Sequence, residues 1–570
     1  MSVTTAQPDA GVAPATAGPV SCNIARRLTD IAERLSDRPA VVVARRRGRW
    51  GGGGYTSWSF AELEERSNAC AAGLAEAGIE RGMRVLMMVR PGLDFVALTF
   101  AVFKIGALPV LIDAGLGVRR MVECVAGVAP QALIGIPAGH VLSLLRPAAF
   151  RTIGPRVTVG RRFGWRGPTL AELVHGQNSR CTPAETRPDE PAAILFTSGA
   201  TGAPKGVVFT HGIFDAQVRQ IQALYGLQAG EVHLATFPLF ALFGPGMGMT
   251  CVIPDMDASH PGRADPLKII SAIQDHGAAS SFGSPALWDR VSTYCAAAGR
   301  TLSPLKRILI AGAPVSWRLL ERLRQVLPPD AEVHTPYGAT EALPVATITG
   351  REVLRGCVER SARGAGTCVG RPVPDIRVRF IRVSDEPIEA WSDGLEVPRG
   401  QIGEIVVAGE VVTRTYYGRP EATRAAKIHD GPEVWHRMGD VGYLDDDGRI
   451  WFCGRKAHRV ETRQGPLYSV ASEGVFNAHP AVRRCALVRV GRQGEARPAV
   501  VVEPLPGQYP SRRAAEVLRR QLSALASVQE VTRPVRDFLF RRALPVDVRH
   551  NAKIDREALA AWAVKRLPKK

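Results

Sequence analysis

Apolar positions recur along the chain in two rhythms. From Cys22 the spacing Ile24, Leu28, Ile31, Leu35 follows the period of an amphipathic helix. Residues 61–77 predict a second helix through Leu63, Leu74 and the alanines near them, and residues 95–105 a third, ended by Gly106. Short unbroken apolar runs predict buried strands at 85–89, stopped by Pro91-Gly92, and at 108–112, 133–136 and 192–196. Strands alternating with helices of this length imply a mostly parallel α/β sheet. Ligands on such sheets lie at the carboxyl ends of the strands.

Residues 401–453 change rhythm. Runs at 402–407, 411–416, 442–444 and 449–452, separated by Gly and Asp-Gly turns, predict a small β-rich unit closing the large domain. A charged stretch, Arg455-Lys456-Ala457-His458-Arg459, interrupts the pattern. Beyond it a small α+β domain is expected, with a helix at 470–477, strands at 486–490 and 499–502, and a helix at 513–525. Residues 1–20, rich in Ala, Thr, Pro and Gly, read as a disordered tail, and residues 45–57, with four consecutive glycines, as an exposed hairpin tip or loop. The expected division is a tail (1–20), an N-terminal domain (21–454), a hinge (455–458) and a C-terminal domain (459–570). There is no internal repeat.

Composition narrows the class. The chain has 570 residues, 45% hydrophobic and 22% charged, which fits a globular protein of more than one domain and excludes collagen-like, coiled-coil and wholly disordered chains. Net charge is +19, from 73 Lys and Arg against 54 Asp and Glu. Only 10 of those 73 are Lys, and Arg runs such as Arg45-Arg46-Arg47 and Arg161-Arg162 are short and scattered. A nucleic-acid stripe needs clustering, so the excess reads as a consequence of GC-rich coding, and no nucleic-acid partner is expected. Ten cysteines without a C-x-x-C exclude zinc spacing; the closest pair is Cys357 and Cys368, and Cys70, Cys251 and Cys453 sit in apolar runs and read as buried thiols. The N-terminus has no basic and apolar leader pattern and no stretch is apolar enough to span a bilayer, so a cytoplasmic setting is expected.

Candidate chemistry begins at residues 197–206, Thr-Ser-Gly-Ala-Thr-Gly-Ala-Pro-Lys-Gly, just past an apolar strand. Small residues let backbone N–H groups turn inward around a polyphosphate, and Lys205 adds a fixed positive charge. No Ser or Thr follows the Lys, so this is not the loop of a P-loop nucleotidase. A plain surface loop is the alternative, and the scarcity of Lys in this chain weighs against it.

The segment resembles the Thr-Ser-Gly-[Ser/Thr]-Thr-Gly-x-Pro-Lys-Gly signature of the adenylate-forming superfamily, which includes acyl-CoA synthetases, nonribosomal-peptide adenylation domains and luciferases. Ala200 replaces a hydroxyl residue of that signature. Further stretches resemble the family's motifs in the family's order: Phe103-Lys104-Ile105-Gly106-Ala107-Leu108-Pro109-Val110-Leu111-Ile112-Asp113, which is mainly structural, then Gly312-Ala313-Pro314, Tyr337-Gly338-Ala339-Thr340-Glu341, His436-Arg437-Met438-Gly439-Asp440, Gly454-Arg455, and Asn551-Ala552-Lys553-Ile554-Asp555-Arg556. The resemblance implies ATP and Mg²⁺, with a large N-terminal domain of parallel sheets and helices plus a β-rich subdomain, and a small mobile α+β C-terminal domain. It implies that Thr197, Ser198, Gly199, Thr201 and Gly202 surround phosphate. Gly312, Ala313 and Pro314 would pack on adenine, Tyr337 would stack on it beside Gly338, and Thr340 would reach phosphate. Asp440 would accept the ribose hydroxyls, with Arg455 near the nucleotide. Glu341 would bind Mg²⁺, and Lys553, Lys205 and Glu341 would form the catalytic set. Approach of a carboxylate to a triphosphate is opposed by charge, which such cations relieve in the transition state.

Two departures concern the acyl acceptor. Thioester-forming relatives commonly carry Pro-Leu-Phe-His, whereas this chain has Pro238-Leu239-Phe240-Ala241. The usual hinge, Gly-Arg-x-Asp-Asp-x-Ile-Lys, is here Gly454-Arg455-Lys456-Ala457-His458-Arg459-Val460-Glu461. With 236–243, 252–257 and 545–554, these stretches resemble the olefin β-lactone synthetases. That likeness implies activation of a long-chain 2-alkyl-3-hydroxy fatty acid and attack by its own hydroxyl to give a β-lactone. It also implies a thiolase, a reductase and a β-lactone decarboxylase as pathway partners. A greasy substrate and a basic surface are compatible with weak association with a membrane. Phe237, Phe240, Ala241, Phe243, Met247 and Met249 are candidate pocket residues, with core packing as the alternative for each. His211, His436 and His458 are candidate bases by position only. A fatty acyl-CoA, acyl-carrier-protein or acyl-AMP ligase is the alternative activity, and a non-catalytic basic scaffold the alternative class.

Overall fold

Short apolar runs buried on both faces form the central strands of two parallel sheets. The computed structural model describes residues 22–45, 54–177, 180–197, 204–237, 240–491, 497–546 and 554–567. One sheet runs Arg156–Thr158, Ala132–Gly135, Arg84–Met88, Leu108–Ile112, Pro191–Thr197, Lys205–Thr210. All its neighbours are parallel except the last pair, which is antiparallel. A second sheet runs Glu332–His334, Arg307–Ile310, Ser280–Gly283, Val232–Ala235, Thr250–Ile253, Pro39–Ala44, Tyr55–Ser59, again parallel but for its final pair. Each carries helices on both faces, as parallel sheets require.

The main core lies between these sheets. Val85, Leu195 and Val207 from the first share it with Val41, Ala235 and Cys251 from the second, and with Val96, Phe100 and Phe103 of helix Leu93–Lys104. Helices Pro266–His276, Pro285–Ala298 and Trp317–Val326 cover the outer face of the second sheet. The expected helices form as Arg26–Arg34, Phe60–Glu76 and Leu93–Lys104, the second started by Ser59 and Glu62 in a capping box.

The β-rich unit is larger than residues 401–453. It is an antiparallel sheet in the order Tyr337–Ala339, Ala342–Thr347, Thr367–Pro372, Ile450–Arg455, Glu433–Leu444, Gly403–Gly409, Ile376–Ile381, with Lys427–Asp430 also on Glu433–Leu444. The expected strand at 411–416 is a correction. That segment leaves the sheet and makes an isolated bridge from Tyr416 to Val207, because its backbone is divided among separate partners. The Thr413 N–H donates to the Glu341 carbonyl at 2.8 Å, the Val208 N–H donates to the Thr415 carbonyl at 3.2 Å, and the Tyr417 N–H donates to the Gly206 carbonyl at 2.8 Å.

Past Ile450–Arg455 comes a 3₁₀ turn, Lys456–His458, and a small hairpin, Val460–Thr462 with Gly465–Leu467. The remainder builds a three-stranded sheet, Val482–Val490, Arg497–Pro504 and Asp537–Phe540, with helices Ser469–Asn477, Arg512–Val528 and Arg556–Val564. Helix Ser469–Asn477 places Ala471 against Val441 and Cys453 of the antiparallel sheet. Cys70, Cys251 and Cys453 are buried, as expected, and burial pushes the Cys70 and Cys453 thiols up to about 12. Among the described residues no helix is long and apolar enough to cross a membrane. The expected tail, residues 1–20, and the glycine tip at 51–53 lie outside the described residues.

Candidate active site

The edge of the first parallel sheet brings Lys205 to its place. Lys205 heads strand Lys205–Thr210 opposite Thr197, is exposed, and holds its Nζ 4.8 Å from the centre of the Tyr416 ring. The Tyr416 hydroxyl donates to Glu341 Oε1 at 2.6 Å. Burial and then the Glu341 charge push the Tyr416 phenol far above its ordinary range, so it stays a donor. Thr340 and Glu341 are the two turn residues between Tyr337–Ala339 and Ala342–Thr347, where Ala339 pairs with Ala342. The turn is tight enough to require Gly338, since a Cβ there would meet the Ala342 carbonyl oxygen at 2.5 Å.

Behind this group lies a buried lysine. Lys427 Nζ donates to the Thr413 carbonyl, and Thr413 grips the Glu341 carbonyl through its N–H (2.8 Å) and its hydroxyl (3.2 Å). Lys427 is 1% exposed. Burial pushes its ammonium down to about 7, with the Glu341 charge opposing the shift. His436 lies opposite Lys427 in register and donates Nδ1–H to the Ala426 carbonyl at 3.2 Å. Burial, then the Lys427 charge, hold His436 well below the usual imidazole range, so it is neutral.

Asp440 stands at the centre of a third group. Its Oδ2 accepts from the Tyr337 hydroxyl at 2.6 Å and its Oδ1 from Arg455 at 2.8 Å. Asp440 and Arg455 face each other across adjacent strands, and Arg455 also donates to the Met438 carbonyl at 2.9 Å. Burial raises the Asp440 carboxyl while Arg455 and Tyr337 oppose it. Gly312-Ala313-Pro314 follow strand Arg307–Ile310 at the carboxyl end of the second parallel sheet, with Gly312 at φ +90°. Contacts join Lys205 on the first parallel sheet to Glu341 through Tyr416, and join Tyr337, Asp440 and Arg455 within the antiparallel sheet. Ser198, Gly199, Thr201, Gly202 and Lys553 lie outside the described residues, as do the side chains of Thr197, Phe240 and Ala241.

Of the apolar candidates, Phe237 sits 5.9 Å ring to ring from Phe282. Phe243, with Leu242, Phe103, Phe214 and Leu195, lines an apolar cavity of about 30 Å³. Met247 and Met249 are buried in the core between the parallel sheets. His211 is a structural residue: its Nδ1 accepts from the Ile24 N–H at 3.2 Å, and burial lowers it to about 4. His458 is lowered to about 4 by burial, Arg556 and Arg455.

The stretch expected as a hinge is tied by ion pairs. Glu404 and Arg437, both nearly fully buried, pair at 2.7 Å, and Lys456 joins Glu404 at 3.1 Å and the Ser384 carbonyl at 2.6 Å. Arg459 grips both carboxylate oxygens of Asp385 and pairs with Glu461 at 2.6 Å. Gly454, at φ +140°, leaves no room for a Cβ, which would meet Ser469 Oγ at 2.6 Å. Arg556, three residues past Lys553, pairs with Glu473 on helix Ser469–Asn477.

Sequence reasoning missed Tyr416, Thr413 and Lys427. The alternation at 411–416 looks like a strand, and nothing local shows that its backbone serves partners distant in sequence. The one available signal was Lys427 itself, one of ten lysines, set between Ala425-Ala426 and Ile428.

The donor set fits Mg²⁺. Among the described residues no group of three or more His, Cys, Asp or Glu could hold a metal. A single carboxylate, Glu341, is linked through Tyr416 to the strand headed by Lys205. Mg²⁺ is commonly held by one or two carboxylates together with substrate phosphates and water.

Two of these parts, the turn carrying Glu341 and the hairpin strand headed by Lys205, fall within a stretch that matches a known family. The AMP-binding enzyme family covers residues 28–417, and the chain belongs to it. It is an ATP-dependent, AMP-forming ligase. It is 46% identical over 562 residues to the olefin β-lactone synthetase of Stenotrophomonas maltophilia (strain K279a), spanning 96% of this chain and 99% of that one. Identity to the olefin β-lactone synthetase of Xanthomonas campestris pv. campestris is 46% over 550 residues, 95% and 97% of the two chains. Among solved structures, the amide bond synthetase McbA from Marinactinospora thermotolerans aligns with a TM-score of 0.76 at 24% identity, over 95% of this chain and 99% of that one, a likeness of fold.

Proposed function

We propose that the protein activates a long-chain 2-alkyl-3-hydroxy fatty acid as its acyl-adenylate and then closes a β-lactone by attack of the substrate's own 3-hydroxyl, releasing AMP. The observation that carries this reading is the end-to-end likeness to two olefin β-lactone synthetases.

In this reading the carboxylate oxygen attacks the α-phosphorus of ATP and pyrophosphate leaves. Lys553 and Lys205 neutralise charge on the phosphates, and Thr197, Ser198, Gly199, Thr201 and Gly202 hold them. Glu341, together with the phosphates, would hold Mg²⁺, which would supply further charge neutralisation. Tyr416 and Thr413 hold Glu341 from two sides. Asp440 takes the ribose hydroxyls, which displaces the Tyr337 hydroxyl and frees that ring to cover adenine beside Gly312, Ala313 and Pro314. In the second step the 3-hydroxyl oxygen bonds to the acyl carbon, the bond to AMP breaks, and the hydroxyl proton passes to a base. A tethered nucleophile gains an effective molarity of roughly 10⁵–10⁸ M when well oriented, a gain that ring strain in a four-membered lactone reduces.

The hinge supports an acceptor within the substrate. Thioester formation in this superfamily asks the C-terminal domain to swing. Here residues 455–458 are the proposed hinge, and Arg459 just past it is bound to Asp385 on the other side. The substrate is expected from a condensing enzyme and a ketone reductase, and the lactone is a substrate for a decarboxylase.

The test is incubation of purified protein with ATP, Mg²⁺ and a 2-alkyl-3-hydroxy acid, with and without coenzyme A. A β-lactone by mass spectrometry without thiol is expected. Strict dependence on coenzyme A, with a thioester product, overturns the proposal in favour of an acyl-CoA ligase.

A further inference from the structure

Between Glu123 and Glu172 the chain contains no Asp or Glu but six arginines: Arg146, Arg151, Arg156, Arg161, Arg162 and Arg166. In a protein of net charge +19 some such gap is expected, but this one coincides with exposed apolar side chains. Helix Pro137–Leu145 buries Gly139, His140 and Ser143, and turns Val141 (45% exposed), Leu144 (62%) and Leu145 (68%) outward at i, i+3 and i+4. That is an apolar stripe facing solvent, the reverse of an ordinary surface helix. The loop after strand Arg156–Thr158 adds Phe163, 60% exposed.

Helix and loop are one surface. The His140 ring stacks on Trp165 at 5.1 Å, and Trp165 lies 5.8 Å from Phe163. Trp165 Nε1 is anchored on Thr158 Oγ1 at 2.8 Å, and His140 Nε2 lies 3.2 Å from the Val157 carbonyl. Arg156 is engaged underneath, donating to Ser143 Oγ at 2.9 Å, and Arg162 pairs with Glu172 at 3.6 Å. Arg161 lies over the Phe163 ring at 5.5 Å. Arg146, Arg151 and Arg166 are exposed and have no acidic partner among the described residues.

We propose that this surface docks the enzyme on an anionic lipid bilayer, with Val141, Leu144, Leu145 and Phe163 entering the headgroup boundary and Arg146, Arg151, Arg161 and Arg166 meeting lipid phosphates. Aliphatic prongs with a collar of arginines match that boundary in both apolarity and charge. A second copy of this chain would bring like charges together, and nucleic acid offers nothing to Leu144 and Leu145. The inference rests on the surface alone. The proposed substrate only adds a motive, since a two-tailed acid resides in membranes.

The experiment is co-sedimentation of the full-length protein with vesicles of phosphatidylcholine alone and of phosphatidylcholine mixed with phosphatidylglycerol. Binding to the anionic vesicles alone is expected, weakening as salt rises. An arginine near such a surface is worth about fivefold in partitioning, so Arg161→Gln with Arg166→Gln lowers binding roughly 25-fold. Leu144→Glu with Leu145→Glu abolishes it, while thermal unfolding and adenylate formation with a water-soluble hydroxy acid stay at the parental values. These readouts do not depend on lactone formation, so failure here leaves the proposed reaction standing. The inference is overturned by absence of binding to either vesicle, by equal binding to both, or by a leucine variant that binds like the parent. A leucine variant that keeps its vesicle binding but loses a co-purifying acidic protein would overturn it too, and assign the surface to a protein instead.

Discussion

Replacing Lys427 with methionine is expected to stabilise the protein in neutral and acidic buffer and to lose that advantage in alkali. Burial moves the Lys427 ammonium from 10.5 to about 7. A difference of about 3.5, at ~1.4 kcal/mol for each tenfold, makes the charged buried lysine a burden of roughly 5 kcal/mol. Between pH 7 and 10.5 the unfolded chain keeps the proton and the folded chain has lost it, so stability rises with pH through that window. Below it both forms are protonated and the full burden is present. Methionine removes the charge but leaves the Thr413 carbonyl without its donor, at a cost of about 1–3 kcal/mol. The net gain is ~2–4 kcal/mol below neutrality, a rise in Tm of a few degrees, and falls to zero or reverses near the upper end of the window. Scanning fluorimetry of both proteins across that range, in Mg²⁺-free buffer, reads it. A Tm difference that is the same at both ends of the range, or a variant already less stable in mild acid, would refute the reasoning. The gain in stability is expected to carry a loss of adenylate formation, because Thr413 released from Lys427 no longer fixes Glu341.

Other substitutions address single contacts. Tyr416→Phe deletes the donor to Glu341 Oε1, and a hydrogen bond to a charged group is worth about 1.5–3 kcal/mol; pyrophosphate release should fall roughly 10–100-fold, with a higher Mg²⁺ requirement in titrations. Asp440→Asn leaves the half-buried Arg455 without its carboxylate; the KM for ATP should rise more than tenfold, from loss of a charge-assisted contact of about 1.5–3 kcal/mol, with a lower Tm. Lys553→Ala should cut adenylate formation ~10²–10³-fold while ATP still binds by calorimetry; release of pyrophosphate at the parental rate would remove Lys553 from catalysis.

Four strands of the first parallel sheet were legible because each is a short apolar run between breakers: residues 108–112 are found as Leu108–Ile112, and 192–196 as Pro191–Thr197. The helix at 470–477 forms as Ser469–Asn477 for the same reason. Extended backbone at 411–416 was equally legible, but its pairing was not. A run of β-branched and aromatic residues reports burial, and Val411, Val412 and Tyr416 are buried. It carries no record of which backbone receives the hydrogen bonds, and here the receivers are Glu341 and the 206–208 hairpin edge, distant in sequence. The extent of the antiparallel sheet was hidden likewise, since Tyr337–Ala339 and Thr367–Pro372 join it from outside the segment whose composition announced it.

The same distinction explains the site. Tyr337, Asp440 and Arg455 occur in sequence motifs whose positions are visible without a structure, yet what makes them one group is register: Asp440 faces Arg455 across two strands, and Tyr337 reaches over from the sheet's first strand. Lys427, Thr413 and Tyr416 belong to no motif and are tied to Glu341 only in space. A buried lysine without a carboxylate in contact is costly enough to be selected against where nothing requires it. Lys427 stands two contacts behind the carboxylate that fits Mg²⁺, and the chain of contacts accounts for its presence. It sets the Thr413 carbonyl, Thr413 sets the turn at 340–341, and the turn aims Glu341 at the strand headed by Lys205. The links run from Lys427 on the antiparallel sheet through the 411–416 segment to the Glu341 turn, so loosening any one of them should move Glu341 relative to Lys205 without unfolding the domain. That separates these residues from the core, where loss of packing would lower stability and activity together.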